Sequence, residues 1–229
     1  LLSELGVDVL VVHPFSKAFS RQTADEFIRD VLVNSFNIEH LIIGYDHRFG
    51  RNREATVEDL INAGNTYGFT VEQIEAQEIS SVNVSSTKIR NALEEGDMKT
   101  ATTYLNRPFI LTGKVVKGKE IGRTIGFPTA NLRLVETYKL HPCDGVYLVQ
   151  AAINKTTAFG MMNIGFRPTL EGEERSFEVH FFDFEDNLYD KVLSIEVLEL
   201  IRKEQKFQSL EALKQQLEKD KATCMALIP

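Results

Sequence analysis

Hydrophobic positions follow two rhythms along this chain, and the change falls near Asn106–Pro108. Before it, apolar runs alternate with helical stripes. Val7-Asp-Val-Leu-Val-Val12 is nearly continuous, the pattern of a strand buried on both faces of a parallel sheet. Thr23-Ala-Asp-Glu26 has the spacing of a capping box. Behind it Ala24, Phe27, Ile28, Val31, Leu32 and Phe36 recur on one helical face. Leu41-Ile-Ile-Gly44 predicts a second strand, Thr56 caps a helix through Tyr67, and Phe69–Ile74 predicts a third strand. Ser86 or Thr87 can cap a further helix through Leu93. Strands alternating with helices imply a parallel α/β sheet, whose ligands bind beyond the carboxyl ends of its strands.

After the change the pattern is strand-rich. Ile110–Val116, Gly145–Asn154, Thr157–Ile164, Ser176–Phe184 and Val192–Leu200 read as strands bounded by turn residues. A closing helix is capped by Ser209, with Leu210, Leu213 and Leu217 as its expected buried stripe. Five or six strands with one helix suggest a small antiparallel barrel. The organisation expected is residues 1–106 as an α/β domain and residues 107–229 as a barrel domain. The 229 residues suffice for two modest domains. No repeat and no low-complexity tract interrupts them.

Composition narrows the classes. Hydrophobic residues make up 43% of the chain, ordinary for a globular protein with a real core. No apolar run approaches the roughly 18 residues of a membrane span. The net charge of −7 argues against a general nucleic-acid binder. Cys143 and Cys224 match no zinc or redox spacing and read as reduced thiols of a cytoplasmic protein. No signal-peptide pattern opens the chain. Leu1–Leu5 reads as the end of a helix, so a segment upstream of Leu1 is expected.

One basic island stands out from the acidic background. Lys114, Lys117, Lys119 and Arg123 fall within ten residues, and Gly118, Gly122 and Gly126 recur every four. Pro128-Thr-Ala-Asn131 follows, with a hydroxyl and an amide two residues apart. A glycine-rich basic turn beside oxygen ligands suits a polyphosphate and its magnesium. The same residues also fit a pair of β-turns joining surface strands. No Gly-Lys-Ser/Thr occurs, so this is not a P-loop.

In Ser176–Phe184 alternation puts Phe177, Val179 and Phe181 on one face and Glu178, His180 and Phe182 on the other. Glu178 is then either a solvated strand carboxylate or a functional one. His180 reads as structural or as a hydrogen-bond partner. Asp183, Glu185 and Asp186 read as a hairpin loop rather than a metal site. In the first half, Gly44-Tyr-Asp46 and Phe49-Gly50 follow a strand end, and Ser85-Ser86-Thr87-Lys-Ile-Arg90 opens a helix. That opening fits a phosphate site or an ordinary N-cap with solvated cations.

Gly113-Lys-Val115, Gly118, Gly122, Gly126 and Pro128-Thr-Ala-Asn131 resemble the signature of riboflavin kinase. Asp144-Gly-Val-Tyr147, Asn163-Ile-Gly-Phe-Arg-Pro-Thr169, Glu178-Val-His180 and Arg202-Lys-Glu-Gln-Lys-Phe207 extend the likeness from about Pro108 to about Asp220. Pro14-Phe15, Ser20, Gly44-Tyr-Asp46, Phe49-Gly50 and Ser85–Arg90 resemble the adenylyltransferase module of bacterial bifunctional FAD synthetase. That family joins a nucleotidylyltransferase-like (Rossmann-like) domain to a six-stranded riboflavin kinase barrel.

The resemblance implies ATP-dependent phosphorylation of riboflavin to FMN, and adenylylation of FMN to FAD in a complete protein, with Mg²⁺ as cofactor. It implies Glu178 as the base, and Gly113, Lys119, Gly122, Gly126, Pro128, Thr129 and Asn131 around the ATP phosphates. Thr129 and Asn131 are the implied metal ligands, and Asn163, Arg202 and Phe207 line the flavin and nucleotide pockets. Arg202 could equally form an ion pair, and Phe207 could be core. Gly44, Asp46, Phe49, Ser85, Ser86, Thr87 and Arg90 are the implied adenylyltransferase residues. The family's His-x-Gly-His motif does not occur: His13 is followed by Pro-Phe and His47 by Arg-Phe. The motif is expected before Leu1, the α/β domain is expected to be N-terminally truncated, and this chain is expected not to form FAD.

Two other readings stay open. One is a nucleotidylyltransferase whose barrel binds flavin only to regulate. The other is a β-barrel interaction module for single-stranded nucleic acid, against which stand the acidic balance and the absence of Trp. The partners expected are small molecules, with neither nucleic acid nor membrane, and a homo-oligomer is compatible with the sequence.

Overall fold

The computed structural model describes residues 2–76, 78–79, 82–118, 120–169 and 172–228. Two compact units divide it, Leu1–Asn83 and Val84–Pro229.

In the first unit, β1 (His40–Gly44) and β2 (Thr70–Ile74) pair in parallel, joined through α2 (Val57–Tyr67). Thr56 and Asp59 close the expected cap, and Gly68 ends the helix at φ 85°. Thr23 and Glu26 form the other capping box, opening α1 (Ala24–Glu26), which widens to a π-helix over Phe27–Val33. Ile28, Leu32, Ile43, Val57, Leu60 and Phe69 make a small core. A two-stranded hairpin, β3 (Glu78–Ile79) with β4 (Val82–Asn83), ends the unit.

Three expectations fail in this unit. Val7–Val12 forms no strand; Val9 is 76% exposed and Val12 82%. An apolar run becomes a buried strand only where neighbours supply ladder hydrogen bonds, and among the described residues none pairs with it. Phe36 lies beyond the helical segment and is exposed, so the stripe ends at Leu32 and Val33. Residues 2–6 form hydrogen-bonded turns ending at Gly6, φ 80°, not a helix end.

The second unit is a closed antiparallel barrel. Its strands are β5 (Phe109–Val116), β6 (Ala130–Leu134), β7 (Gly145–Ile153), β8 (Thr156–Thr169), β9 (Gly172–Phe181) and β10 (Val192–Lys203), in the order β10-β5-β6-β9-β8-β7. Inward residues such as Leu111, Val115, Tyr147, Val149, Met162, Ile164, Val179 and Ile195 fill it. α3 (Ser86–Glu95) and α4 (Met98–Leu105) pack Ala92, Leu93, Met98 and Ala101 against that core. The helices between Ser86 and Leu105 thus belong to the compact unit of the barrel.

α5 (Ile121–Thr124) is a single turn in the glycine loop. α6 (Leu210–Leu227), capped by Ser209, covers part of the outer barrel wall. Phe127, Val146, Leu148, Met161, Phe182 and Cys224 pack there, with Leu217 of α6 beside them. This explains the unbroken apolar run of β7: Tyr147 and Val149 face the interior, and Val146 and Leu148 face the second cluster. The stripe expected on α6 is only partly buried. Leu210 is 58% exposed, and the buried residues of the helix are Asp220 and Cys224.

β6 is a strand that the hydrophobic rhythm does not predict. Asn131 and Arg133 alternate with Leu132 and Leu134, a signal too short to mark a strand beside the glycine loop. Asp183 sits in a turn at φ 50°, and the Asn187 side chain caps the Tyr189 N–H at 2.9 Å, so the acidic run is indeed loop chemistry.

Candidate active site

The register of three neighbouring strands assembles the site. Asn131 of β6 lies opposite Glu178 of β9, and Asn163 of β8 lies opposite Glu178 on its other side. Paired residues point to the same face, so an amide, a carboxylate and a second amide stand abreast on the outer wall. Thr129, just before β6, donates its hydroxyl to Glu178 Oε2 at 3.2 Å. That leaves the Thr129 oxygen lone pairs free to meet a cation.

The glycine loop is shaped by contact as well as by conformation. The Asn131 carboxamide lies directly against Gly118; a Cβ there would fall 2.3 Å from Nδ2 and 2.8 Å from Oδ1. At Gly122 a Cβ would meet the Phe127 carbonyl at 2.2 Å, and Gly126 holds φ +88°. Any side chain at Gly118 would push Asn131 out of line. Gly113 lies on β5 opposite Leu134. Lys119 falls outside the described residues, as do the side chains of Arg167, Pro168 and Thr169.

Pro128 is held by His180. The His180 Nδ1–H donates to the Pro128 carbonyl at 2.8 Å, and the ring packs edge-on against Phe127 at 5.1 Å. Burial pushes the His180 pKa down, only partly offset by that carbonyl. The Nδ1–H can donate in either protonation state, and it is burial that favours the neutral ring. His180 therefore pins the segment that carries Thr129 and Asn131, as the structural reading expected.

Two cavities meet at Thr129. One, of ≈ 450 Å³, is bounded by Phe127, Val146, Met161, Phe207, Leu213 and Leu217, with Glu178, Asn163 and Arg202 on its wall. The other, of ≈ 480 Å³, is bounded by Pro128, Thr129, Phe181, Phe184, Leu188 and Tyr189, with Arg123 at its edge. Of the basic island, Arg123 and Lys117 approach Glu120 at 3.4 and 3.9 Å, and Lys114 pairs with Asp190 at 2.8 Å. These pairs are exposed, and exposed pairs hold their partners weakly. Arg202 is engaged more firmly, with Asp220. No cluster of three His, Cys, Asp or Glu able to hold a metal occurs among the described residues.

Residues 105–228 match the family model described as riboflavin kinase, and residues 1–88 match FAD synthetase. A bifunctional riboflavin kinase/FMN adenylyltransferase from Haemophilus influenzae is 40% identical over 226 residues, 98% of this chain and 73% of that protein. The counterpart from Escherichia coli strain K12 is 39% identical, over 97% of this chain and 71% of that one. The chain belongs to the bifunctional riboflavin kinase/FMN adenylyltransferase family. A crystal structure described as a macrolide-efflux protein from Streptococcus pneumoniae superposes at TM-score 0.87, with 35% identity over 98% of this chain and 72% of that one. That description is of the other protein. Among the described residues of this family member no helix is long and apolar enough to cross a membrane.

The residues implied for adenylyl transfer are divided between the two compact units. Gly44 ends β1, Asp46 is exposed in the turn after it, and Phe49 bridges to Ala55 and lies 6.0 Å from Phe27. An apolar cavity of ≈ 250 Å³ lies at that strand end. Ser85, Ser86, Thr87 and Arg90 belong to the other compact unit and are exposed. Ser85, rather than Ser86 or Thr87, is the cap of α3: its hydroxyl accepts the Lys88 N–H at 3.3 Å. A cap is set by backbone conformation, and Ser85 is the last extended residue, at φ −144° and ψ 154°.

Proposed function

We propose that the barrel transfers the γ-phosphoryl group of ATP to the 5′-hydroxyl of riboflavin, giving FMN and ADP, with Glu178 as the base. The observation that carries this is the row Asn131–Glu178–Asn163, with the Thr129 hydroxyl on Glu178, at the junction of two cavities. Phosphoryl transfer asks for positioning, charge neutralisation and a group to receive the hydroxyl proton. Glu178 takes that proton as the riboflavin oxygen forms its bond to the γ-phosphorus. The bond from the γ-phosphorus to the bridging oxygen breaks, and its electron pair leaves with ADP. The apolar cavity of ≈ 450 Å³ suits the flavin ring, and the neighbouring one suits the nucleotide.

The residues present fit Mg²⁺. Thr129 and Asn131 offer two neutral oxygen donors, and magnesium in kinases is held by few protein ligands together with substrate phosphates. When bound it neutralises charge on the phosphates. Gly118, Gly122 and Gly126 keep the loop close enough for its backbone N–H groups to meet those phosphates. Arg123 and Lys117 are positioned to exchange Glu120 for phosphate oxygens.

We assign residues 107–229 to the kinase domain and residues 1–106 to the adenylyltransferase domain. Lacking His-x-Gly-His, the chain is expected to make FMN and no FAD. Two free thiols suit a cytoplasmic protein, and its acidic surface suits small-molecule substrates rather than nucleic acid. The test is incubation with riboflavin and Mg-ATP, followed by chromatography. FMN with equimolar ADP is expected; no FMN from folded protein at saturating Mg-ATP overturns the kinase reading. FAD from FMN and ATP overturns the second expectation.

A further inference from the structure

Asp220 is the least exposed of the described charged side chains, at 2%. A carboxylate removed from water must be paired and hydrogen-bonded to persist. Here Arg202 Nε reaches its two oxygens at 3.0 and 2.9 Å, Arg202 Nη2 reaches Oδ2 at 2.8 Å, and Gln216 Nε2 donates to Oδ1 at 2.8 Å. The remaining Nη1 donates to the Lys203 carbonyl at 3.2 Å. Every nitrogen of the guanidinium therefore has a partner inside the protein. The side chain still lines the apolar cavity beside Phe207, whose ring centroid lies 5.6 Å from the guanidinium carbon.

This pairing changes what Arg202 can offer a substrate. Its in-plane donors are mostly engaged, so its flat face is the part left to a ligand. A planar guanidinium held still is a stacking surface for a planar aromatic ring. Asp220 lies on α6 and Arg202 on β10, so the pair also ties the helix to the strand at the cavity wall.

We infer that Asp220 is a positioning residue for riboflavin: it holds the Arg202 guanidinium in one plane against the cavity, so that the substrate ring meets a fixed face. This rests on the reading that the cavity takes riboflavin. Asp220 is buried behind Arg202 and lines neither of the two cavities, so its effect belongs in flavin affinity rather than in turnover.

The experiment titrates riboflavin fluorescence without nucleotide and measures steady-state kinetics on the whole chain. The variants are Asp220→Asn, Asp220→Glu, Arg202→Ala and the Asp220→Asn/Arg202→Ala double, with circular dichroism to confirm folding. Asp220→Asn is expected to raise the riboflavin Kd and KM about tenfold, with kcat and the Mg-ATP KM within about twofold. Asp220→Glu keeps the charge and recovers part of the affinity. The double variant binds riboflavin no more weakly than Arg202→Ala alone, because the two side chains act as one unit. Unchanged riboflavin affinity in Asp220→Asn, an equal rise in the Mg-ATP KM, or additive losses in the double variant overturn the inference. If Asp220→Asn fails to fold, Asp220→Glu and the double variant decide it. Parent chain that binds riboflavin but forms no FMN removes the kinase reading while the titration still judges Asp220. Parent chain that does not bind riboflavin overturns both.

Discussion

Two runs rich in apolar residues end in opposite places. Val7–Val12 in the first unit is exposed and joins no strand ladder among the described residues, while Gly145–Ile153 in the second is among the most buried segments. The difference is in their neighbours. β7 has β8 on one side and β10 on the other, an interior on one face and the cluster beside α6 on the other. Hydrophobicity supplies the drive to bury, but backbone N–H and C=O groups must be paired when buried. The same contrast governs the sites. On a closed barrel, register alone sets Asn131, Glu178 and Asn163 side by side. The adenylyl candidates sit at a strand end in one compact unit and a helix start in another.

The largest effect expected is at the row itself. Glu178→Gln keeps size and removes the base, and general-base catalysis contributes about 10²–10⁴-fold. We expect kcat for FMN formation to fall by that order with little change in either KM. His180→Ala, on the same face, should cost far less in turnover. Near-normal kcat in Glu178→Gln would show that positioning alone drives the barrel's reaction.

Next is the contrast between the two runs. Val149 is fully buried, and its replacement by Ala should cost roughly 2 kcal/mol of stability. Val9→Ala should stay within about 0.5 kcal/mol, as for exposed positions generally. Urea titration of both variants measures this; equal costs would mean that residues 7–12 are packed in solution.

Thr129→Ala and Asn131→Ala come third. Each should raise the Mg-ATP KM on the order of tenfold, the equivalent of one lost polar contact of about 1.4 kcal/mol. The riboflavin KM should move less. Equal effects on both substrates would reduce the motif to a turn.

The smallest effect concerns pH. The His180 pKa is lowered by burial from its ordinary 6.5. The unfolded chain therefore binds a proton before the folded one does. His180's contribution is fully present above about 6.5 and is lost as pH falls toward the lowered folded value. Thermal unfolding should show Tm declining below that pH, and His180→Gln should flatten the decline. An unchanged slope would mean that His180 titrates normally when folded.

Much of the fold was written in local sequence. The caps at Thr23, Thr56 and Ser209 form as their spacing implied, and five barrel strands lie where alternation placed them, with shifted ends: β7 stops at Ile153 and β9 at Phe181, while β5, β8 and β10 are longer. The glycine loop and Pro128–Asn131 were also visible as chemistry. Turn and cap signals are legible because their hydrogen bonds close within a few residues.

What tertiary structure alone decided involves partners far apart in the chain. β6 is not legible locally because five residues of alternation are a weak signal until β5 and β9 hold them, and Glu178 faces Asn131 only through that pairing. Arg202 differs from a surface cation only through Asp220, 18 residues on, which is buried against it. Val7–Val12 carried the composition of a core strand without the ladder that makes one. Periodicity states which residues can be buried together; whether they are depends on hydrogen-bond partners that the chain brings from a distance.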